Sequence, residues 1–266
     1  MADKEMVLLD TTPEGVATVT LNRPDLHNAM NDEMIERLGD IFDDLGKQDG
    51  VRLVLLQGAG KSFSAGADLN WMRRAADFTE EENYEDAAAL GHMLRALHQM
   101  PKPTVALLHG SAYAGGIGLL AACDIAVAVR DIQFSLTEVR LGLIPAVISP
   151  YVIAAIGARN ARRYILTAER FNAVEAHRIG LVHELVADHA GLMAARDRLI
   201  RDFTAAAPGA VAAAKALIGD VAGQPIDSAL ILDTARRIAD RRASDEGKEG
   251  LQAFLDKRKP NWVEGG

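Results

Sequence analysis

Thr104-Val-Ala-Leu-Leu-His109-Gly-Ser-Ala-Tyr-Ala-Gly115-Gly116-Ile-Gly118-Leu-Leu-Ala-Ala-Cys123-Asp-Ile-Ala-Val-Ala-Val129 is the stretch on which the fold turns. It reads as a buried strand over 104–109, a glycine loop, an apolar helix over 119–123 and a second strand over 124–129. Gly115 stands at the start of that helix. Residues 104–123 carry no formal charge and are long enough to cross a bilayer. His109, Ser111, Tyr113 and the glycines 110, 115, 116 and 118 fit a strand, loop and buried helix better than a membrane span.

The same alternation extends upstream. Val7-Leu8-Leu9 and the run from Val16 to Leu21 predict a hairpin turned at Thr12-Pro13-Glu14-Gly15. A helix is expected from about Asn31, with Asp32 and Glu33 in its first turn, where the helix dipole favours acids. Met34, Leu38, Ile41, Phe42 and Leu45 recur at helical spacing, and Gly46 or Gly50 ends the run. Residues 51–57 then read as a buried strand, and a polar loop opens at Gly58. A helix over 80–99 follows, closed by Pro101 and Pro103. Strand and helix in alternation imply right-handed crossovers and a mostly parallel sheet. After about Arg159 strands nearly vanish, and helices are expected over 190–203, 208–221, 226–242 and 245–257. The expected organisation is an α/β core over 1–200. A helical C-terminal part over 201–266 packs on it or on neighbouring subunits.

Composition excludes several classes. The 266 residues are 49% hydrophobic and 25% charged, as in ordinary globular proteins and unlike disordered chains. One cysteine, Cys123, in an apolar run, rules out a disulfide framework and reads as a core residue. Twenty-nine Lys and Arg against 37 Asp and Glu leave a formal charge of −8, which disfavours nucleic acid as a partner. The segment from Met1 to Met6 carries acids where a secretory leader carries bases, so a cytoplasmic protein with no targeting segment is expected.

Familiar catalytic motifs are missing or incomplete. Gly58-Ala-Gly60-Lys61-Ser62 imitates the end of a phosphate loop, but Leu55 stands where that motif needs its first glycine. Gly116-Ile-Gly118-Leu-Leu-Ala121 imitates a dinucleotide fingerprint, yet its glycines lie too far beyond the strand. Neither G-x-S-x-G nor H-E-x-x-H occurs, no His/Cys/Asp cluster suggests a metal, and no cofactor is expected. Two loops remain, each following a buried strand and rich in Gly and Ala: Phe63-Ser64-Ala65-Gly66-Ala67-Asp68-Leu69 and Gly110-Ser-Ala-Tyr113-Ala-Gly115-Gly116. Small residues let a ligand reach backbone N–H groups, and two such groups converging form an oxyanion hole. Two tight turns chosen for packing would give the same composition.

With the segments around them, these loops resemble the crotonase (enoyl-CoA hydratase/isomerase) superfamily over essentially the whole chain. Leu21-Asn-Arg23-Pro with Asn28-Ala-Met30 resembles its first loop, which lines the CoA cleft, and the two glycine loops resemble its oxyanion segments. Cys123-Asp-Ile-Ala126, Phe134-Ser-Leu-Thr-Glu138 and Leu141-Gly-Leu-Ile-Pro145 continue the pattern in order. The resemblance implies an α/β body built as a spiral of repeated ββα units, with a helical trimerisation part at the C-terminus. It implies an acyl-CoA thioester as substrate, CoA being part of the substrate and not a cofactor, and a homotrimer or homohexamer.

By the same resemblance, Ala67 and Gly115 offer the backbone N–H groups that hold the thioester oxygen, and Glu138 carries the proton. Leu136, Val139, Leu141, Leu143 and Ile144 stand around Glu138 in the sequence, so burial is expected to raise its pKa. The substrate would meet Arg23, Leu26, His27, Ser64, Ala65, Asp68, Leu69, Tyr113, Gly116 and Arg140, with Lys61 flanking the first oxyanion loop. Phe254 and Lys257, next to Arg258 and Lys259, would reach a CoA held in a neighbouring subunit. One position departs from the pattern. Hydratases of this family commonly carry a second glutamate three residues after the oxyanion glycine, and here that residue is Gly118. Either Glu138 performs both proton transfers, or Asp68 or Tyr113 assists, or the enzyme is an isomerase that uses Glu138 as its single base. An RNA-binding or scaffold role is the non-enzymatic alternative. Ser64–Met72 and Gly142–Tyr151 resemble methylglutaconyl-CoA and isohexenylglutaconyl-CoA hydratases, which implies a branched, dicarboxylic acyl group. Arg140, Arg73 or Arg74 would meet its second carboxylate.

Overall fold

The computed structural model describes residues 5–263; the N-terminal reading over 1–4 and the last three residues of the C-terminal part lie outside the described residues. The hairpin forms as expected, β1 (Val7–Thr11) pairing antiparallel with β2 (Val16–Leu21). Helix α1 (Asp32–Lys47) follows, its first turn capped by the Asn31 side chain, which accepts the Met34 N–H. Its apolar stripe of Met34, Ile35, Leu38, Ile41, Phe42 and Leu45 is buried, and the helix runs through Gly46. Strands β3 (Leu53–Gly58) and β4 (Thr104–Leu108) come next, separated by α2 (Leu69–Ala75) and α3 (Glu80–Gln99). Thr79 and Glu82 form a reciprocal capping box at the start of α3.

The chain then repeats a unit of long strand, short strand and helix. After β4 come β5 (Ala112–Tyr113) and α4 (Gly115–Ala122). After β6 (Ile125–Val129) come β7 (Gln133–Ser135), a 3-10 turn over Glu138–Leu141, and α5 (Ser149–Thr167), which is broken at Gly157. After β8 (Phe171–Asn172) come α6 (Ala173–Arg178) and β9 (Glu184–Val186). The long strands and the short β9 build one sheet in the order β1-β2-β3-β4-β6-β9, parallel from β2 onward, and β5, β7 and β8 a second sheet in the order β5-β7-β8. Successive units therefore stack as turns of a spiral around a core that includes Leu55, Leu56, Val105, Leu107, Leu119, Val127 and Phe134.

Four helices complete the chain: α7 (His189–Ala205), α8 (Pro208–Val221), α9 (Ser228–Ala243) and α10 (Asp245–Leu255). Polar ties fasten this part to the body. Arg52 donates to the Ala206 and Trp262 carbonyls and Lys215 pairs with Asp124 at 2.7 Å, while within the part itself the Trp262 indole N–H donates to the Ala205 carbonyl. No helix among the described residues is long and apolar enough to cross a membrane.

Three expectations shift. Helix α4 starts at Gly115 as placed, but the turn over 115–118, expected as glycine loop, is already helical, its glycines close-packed against neighbours. Within the loop after β3, α2 forms because Asp68 caps it. Beyond Arg159 the strands β8 and β9 are short, yet β9 extends the main sheet, pairing parallel with β6.

Candidate active site

In a mostly parallel sheet the loops at the strands' carboxyl ends gather at one edge, and that is where such folds place ligands. Here those loops follow β2, β3 and β4. In the first, His27 and Asn28 both adopt left-handed backbone (φ 51° and 54°), a conformation that Asn tolerates better than most residues. Asn28 is fully buried. Its Oδ1 accepts the Arg23 N–H at 2.9 Å, and its Nδ2 donates to the Ala59 and Ser62 carbonyls, each at 2.8 Å. One side chain thus ties the first loop to the second.

Backbone bonds then stitch the second loop to both neighbours. Met30 N–H donates to the Gly66 carbonyl at 2.7 Å and Asp68 N–H to the Met30 carbonyl at 2.8 Å, which brackets Ala67. Ala65 N–H donates to the His27 carbonyl, and the Ser64 hydroxyl donates to Asn28 while accepting the Gly66 N–H. On the other side, Phe63 N–H donates to Ser111, and Tyr113 N–H donates to Ser64. Gly66 (φ +88°) lies where the two loops touch, since a Cβ on it would stand 2.9 Å from the Tyr113 carbonyl oxygen and 3.5 Å from the Gly115 nitrogen. A Cβ on Gly116 would likewise meet Ser64.

Among the described residues, the N–H groups of Ala67 and Gly115 have no backbone or side-chain acceptor. Ala114 turns the chain into α4 with φ 46° and ψ −118°, a conformation that costs a side-chain-bearing residue about 1–3 kcal/mol. It is held there by its own N–H, which donates to the Ser135 carbonyl at 3.0 Å. Two free N–H groups beside a helix N-terminus can stabilise charge that develops on a carbonyl oxygen.

Glu138 lies just beyond the strand that pairs with the one leading to Gly115. Tyr113 and Ser135 are partners in the β5–β7 register; Gly115 lies two residues beyond the one and Glu138 three beyond the other. Glu138 is half-buried, and its Oε2 is buried without a hydrogen-bond partner. Burial pushes its pKa above the ordinary 4.5, only partly opposed by a bond from its own backbone N–H. The source of that burial differs from expectation. Leu136 is buried and Val139 half-buried, but Leu141, Leu143 and Ile144 point outward, Ile144 being 73% exposed.

Glycines 115 and 118 lie three apart on one face of α4, and that face is covered by apolar side chains. A Cβ on Gly115 would stand 2.8 Å from Met30 Cε. At Gly118 it would overlap Ile148 Cγ2 and lie 2.9 Å from Ile148 Cβ, with Leu94 also in contact. The atoms nearest to these two positions among the described residues belong to Met30, Ile148 and Leu94, none of them a carboxylate.

Similarity to known proteins places the chain in a family. Residues 11–265 match the family described as enoyl-CoA hydratase/isomerase. The chain belongs to the enoyl-CoA hydratase/isomerase family. An enoyl-CoA hydratase structure from Shewanella pealeana is 41% identical, with a TM-score of 0.93 over 97% of this chain and 96% of that one. AtuE of Pseudomonas aeruginosa is 38% identical, with a TM-score of 0.93 over 98% of this chain and 100% of that one. The short-chain-enoyl-CoA hydratase of Clostridium acetobutylicum is 31% identical over 92% of both chains. The protein is an enoyl-CoA hydratase-type enzyme with the α/β spiral of that family, helical at its C-terminus.

Within this hydratase-type enzyme, several residues expected at the substrate are engaged internally. Arg23 pairs with Asp68 at 2.9 Å and donates to the Ala29 carbonyl, while the Asp68 carboxylate also caps α2 by accepting the Asn70 and Trp71 N–H groups. Asp68 is 4% exposed. Burial alone would raise its pKa, but those two N–H groups and Arg23 outweigh it and hold the carboxyl below its usual range. An ionised, fully bonded carboxylate is a poor second proton carrier. The Ser64 hydroxyl is equally committed. Leu26, His27 and Leu69 are exposed beside the loops, with His27 Nδ1 3.0 Å from the Ser62 hydroxyl. Tyr113 is half-buried, and the Arg170 guanidinium lies over its ring at 6.0 Å.

Of the three arginines considered for a second carboxylate, Arg74 pairs with Asp32 and Arg73 donates to Asn70. Exposed Arg140 has no side-chain partner among the described residues. Phe254 and Lys257 lie at the end of α10, and no hydrogen bond or ion pair among the described residues joins them to the three loops. Cys123 is buried, its thiol pushed up to about 12 by burial first and by Asp124 second, which suits a core role. Among the described residues no group of three His, Cys, Asp or Glu could hold a metal ion. The side chains of Asn28, Met30 and Ile148 are not among the expected site residues; the runs Asn28-Ala-Met30 and Gly142–Tyr151 carry a signal in the sequence, but neither gives the contact of Ile148 with Gly118.

Proposed function

We propose that the enzyme hydrates a branched 2-enoyl-CoA such as 3-methylglutaconyl-CoA, with Glu138 performing both proton transfers. The thioester oxygen accepts the N–H groups of Ala67 and Gly115. Glu138 takes a proton from water as the hydroxide adds to C3; the π pair of C2=C3 shifts to form C1=C2, and the carbonyl π pair moves to the thioester oxygen as an enolate. The same carboxyl then returns its proton to C2, so one water is added and the enzyme is restored. Fixed N–H donors of this kind contribute about 3 kcal/mol each to such an enolate. The observation that carries this reading is the buried, unpartnered Oε2 of Glu138, which follows the strand paired with the one leading to the free Gly115 N–H. Arg140, exposed and unpaired, is the cation assigned to a distal carboxylate. Phe254 and Lys257 are assigned to a CoA bound by a neighbouring subunit of a homotrimer or homohexamer.

The Gly118–Ile148 wall favours a second reading. With one carboxyl group at hand, a 3-enoyl-CoA would lose a C2 proton to Glu138 and regain it at C4, which is double-bond migration. Incubation with 3-methylglutaconyl-CoA, crotonyl-CoA and a 3-enoyl-CoA, with product analysis, separates the two. Hydrated product from the first is expected, and exclusive migration overturns the hydratase reading. Glu138→Gln is expected to lower kcat by at least about a hundredfold, and Arg140→Met to raise KM for the dicarboxylic substrate alone.

A further inference from the structure

Ile148 belongs to no element that bears the proposed chemistry, yet it stands between two that do. On one side its side chain fills the space in front of Gly118, one turn along α4 from the Gly115 N–H. It is fully packed there, 3% exposed. On the other side, Ile148 opens α5, its carbonyl accepting the Val152 N–H at 3.1 Å. The loop before it is tied back to the acid: Leu143 N–H donates to the Glu138 carbonyl at 3.1 Å. Ser149 then donates to Ala146 through both its N–H and its hydroxyl. A displacement of Ile148 therefore moves the segment that carries Glu138 relative to the helix that carries Gly115.

We infer that Ile148 is a positioning residue, the spacer that sets the separation between the Gly115 N–H and the Glu138 carboxyl. The inference rests on the roles proposed above for those two groups. Gly118 is its necessary counterpart, because any side chain there would displace Ile148 and widen the gap. A wider gap weakens either the hold on the enolate oxygen or the proton transfer. Ground-state binding of CoA depends on neither.

The test is a compensating pair, assayed with 3-methylglutaconyl-CoA and crotonyl-CoA alongside thermal melts. Gly118→Ala is expected to lower kcat about thirtyfold while KM stays within about twofold, the mark of a sub-ångström misplacement. Adding Ile148→Ala empties the space the new methyl needs, and the double variant is expected to regain about tenfold in kcat. Ile148→Val, which only removes a methyl group, keeps the question open to test where Gly118→Ala fails to fold; a loss of about threefold in kcat is expected. Three results overturn the inference: Gly118→Ala at the wild-type kcat, a folded double variant no faster than Gly118→Ala, or Ile148→Val with unchanged kcat. Wild-type rates in Glu138→Gln instead overturn the assignment of the acid, a failure that the Ile148 series does not produce.

Discussion

At the scale of the residue, Glu138 links activity and stability through one number. Its carboxyl titrates above 4.5 because burial penalises the charge, so at neutral pH the folded state carries a cost that the unfolded chain lacks. That cost is absent below the ordinary glutamate pKa and is fully present once pH has risen through the folded one. Glu138→Gln should therefore melt at a higher temperature than wild type near pH 7, and at the same temperature near pH 4, in paired calorimetric scans. The acid limb of kcat/KM in wild type should fall with an apparent pKa above 4.5, since water activation needs the ionised carboxylate. A limb at the ordinary value, or a variant no more stable at neutral pH, would show that the carboxyl is solvated. Glu138 as a site was legible only through the pattern of motifs around it. A glutamate just past a strand reads by itself as surface, and the residues that do not shield it, Leu141, Leu143 and Ile144, were the ones that local apolar spacing suggested.

At the scale of the element, α2 shows how a seven-residue helix can hold a backbone donor in place. Too short to be stable alone, it is tied at its start by Asp68, to Arg23, and at Trp71, whose indole N–H donates to Asp86 at 2.9 Å. Asp68 follows Ala67 directly, so the anchor of the helix is also the anchor of the proposed oxyanion donor. Asp68→Ala removes both the cap and the ion pair and leaves the part-buried Arg23 only its bond to the Ala29 carbonyl, a loss of about 2–4 kcal/mol. Asp68→Asn keeps most of the capping and should lose less. Because the Asp68 carboxyl is held low, its stabilisation is present at neutral pH and disappears as pH falls through that depressed value. Denaturant titrations should therefore show the gap between wild type and Asp68→Asn closing on acidification, and a gap independent of pH would contradict the ion pair. Helix α1 could be placed from its apolar periodicity and α3 from the prolines that close it, whereas α2 and the helical turn over 115–118 could not. Their determinants are a distant arginine and the close packing of Gly115, Gly116 and Gly118 against Met30, Ser64 and Ile148, which no local pattern encodes.

At the scale of the whole molecule, the described C-terminal helices leave apolar surface that a single chain does not cover. Helices α8 and α9 bury no residue, and Ile218, Ile231, Leu232, Ile238, Leu251 and Leu255 are exposed, with Phe254 at 79%. Scattered exposed leucines need no explanation, but a run of them over three packed helices marks an interaction surface. The homotrimer or homohexamer proposed above would cover it, and would also account for Lys257, which is exposed and remote in bonding from its own three loops. Light scattering after size exclusion should therefore give three or six times the chain mass. Leu232→Glu combined with Phe254→Glu should shift the population to monomers, since burying two carboxylates in such an interface is costly. If Lys257 serves a neighbour's CoA, those monomers should also show a raised KM for the CoA thioester while far-ultraviolet circular dichroism is unchanged. A wild-type monomer at micromolar concentration would remove the partner subunit from the account. Lys257 would then be a solvated helix end, and the −8 charge of the chain would have to be offset at the CoA cleft by residues of the same subunit, of which Lys61 lies next to the loops.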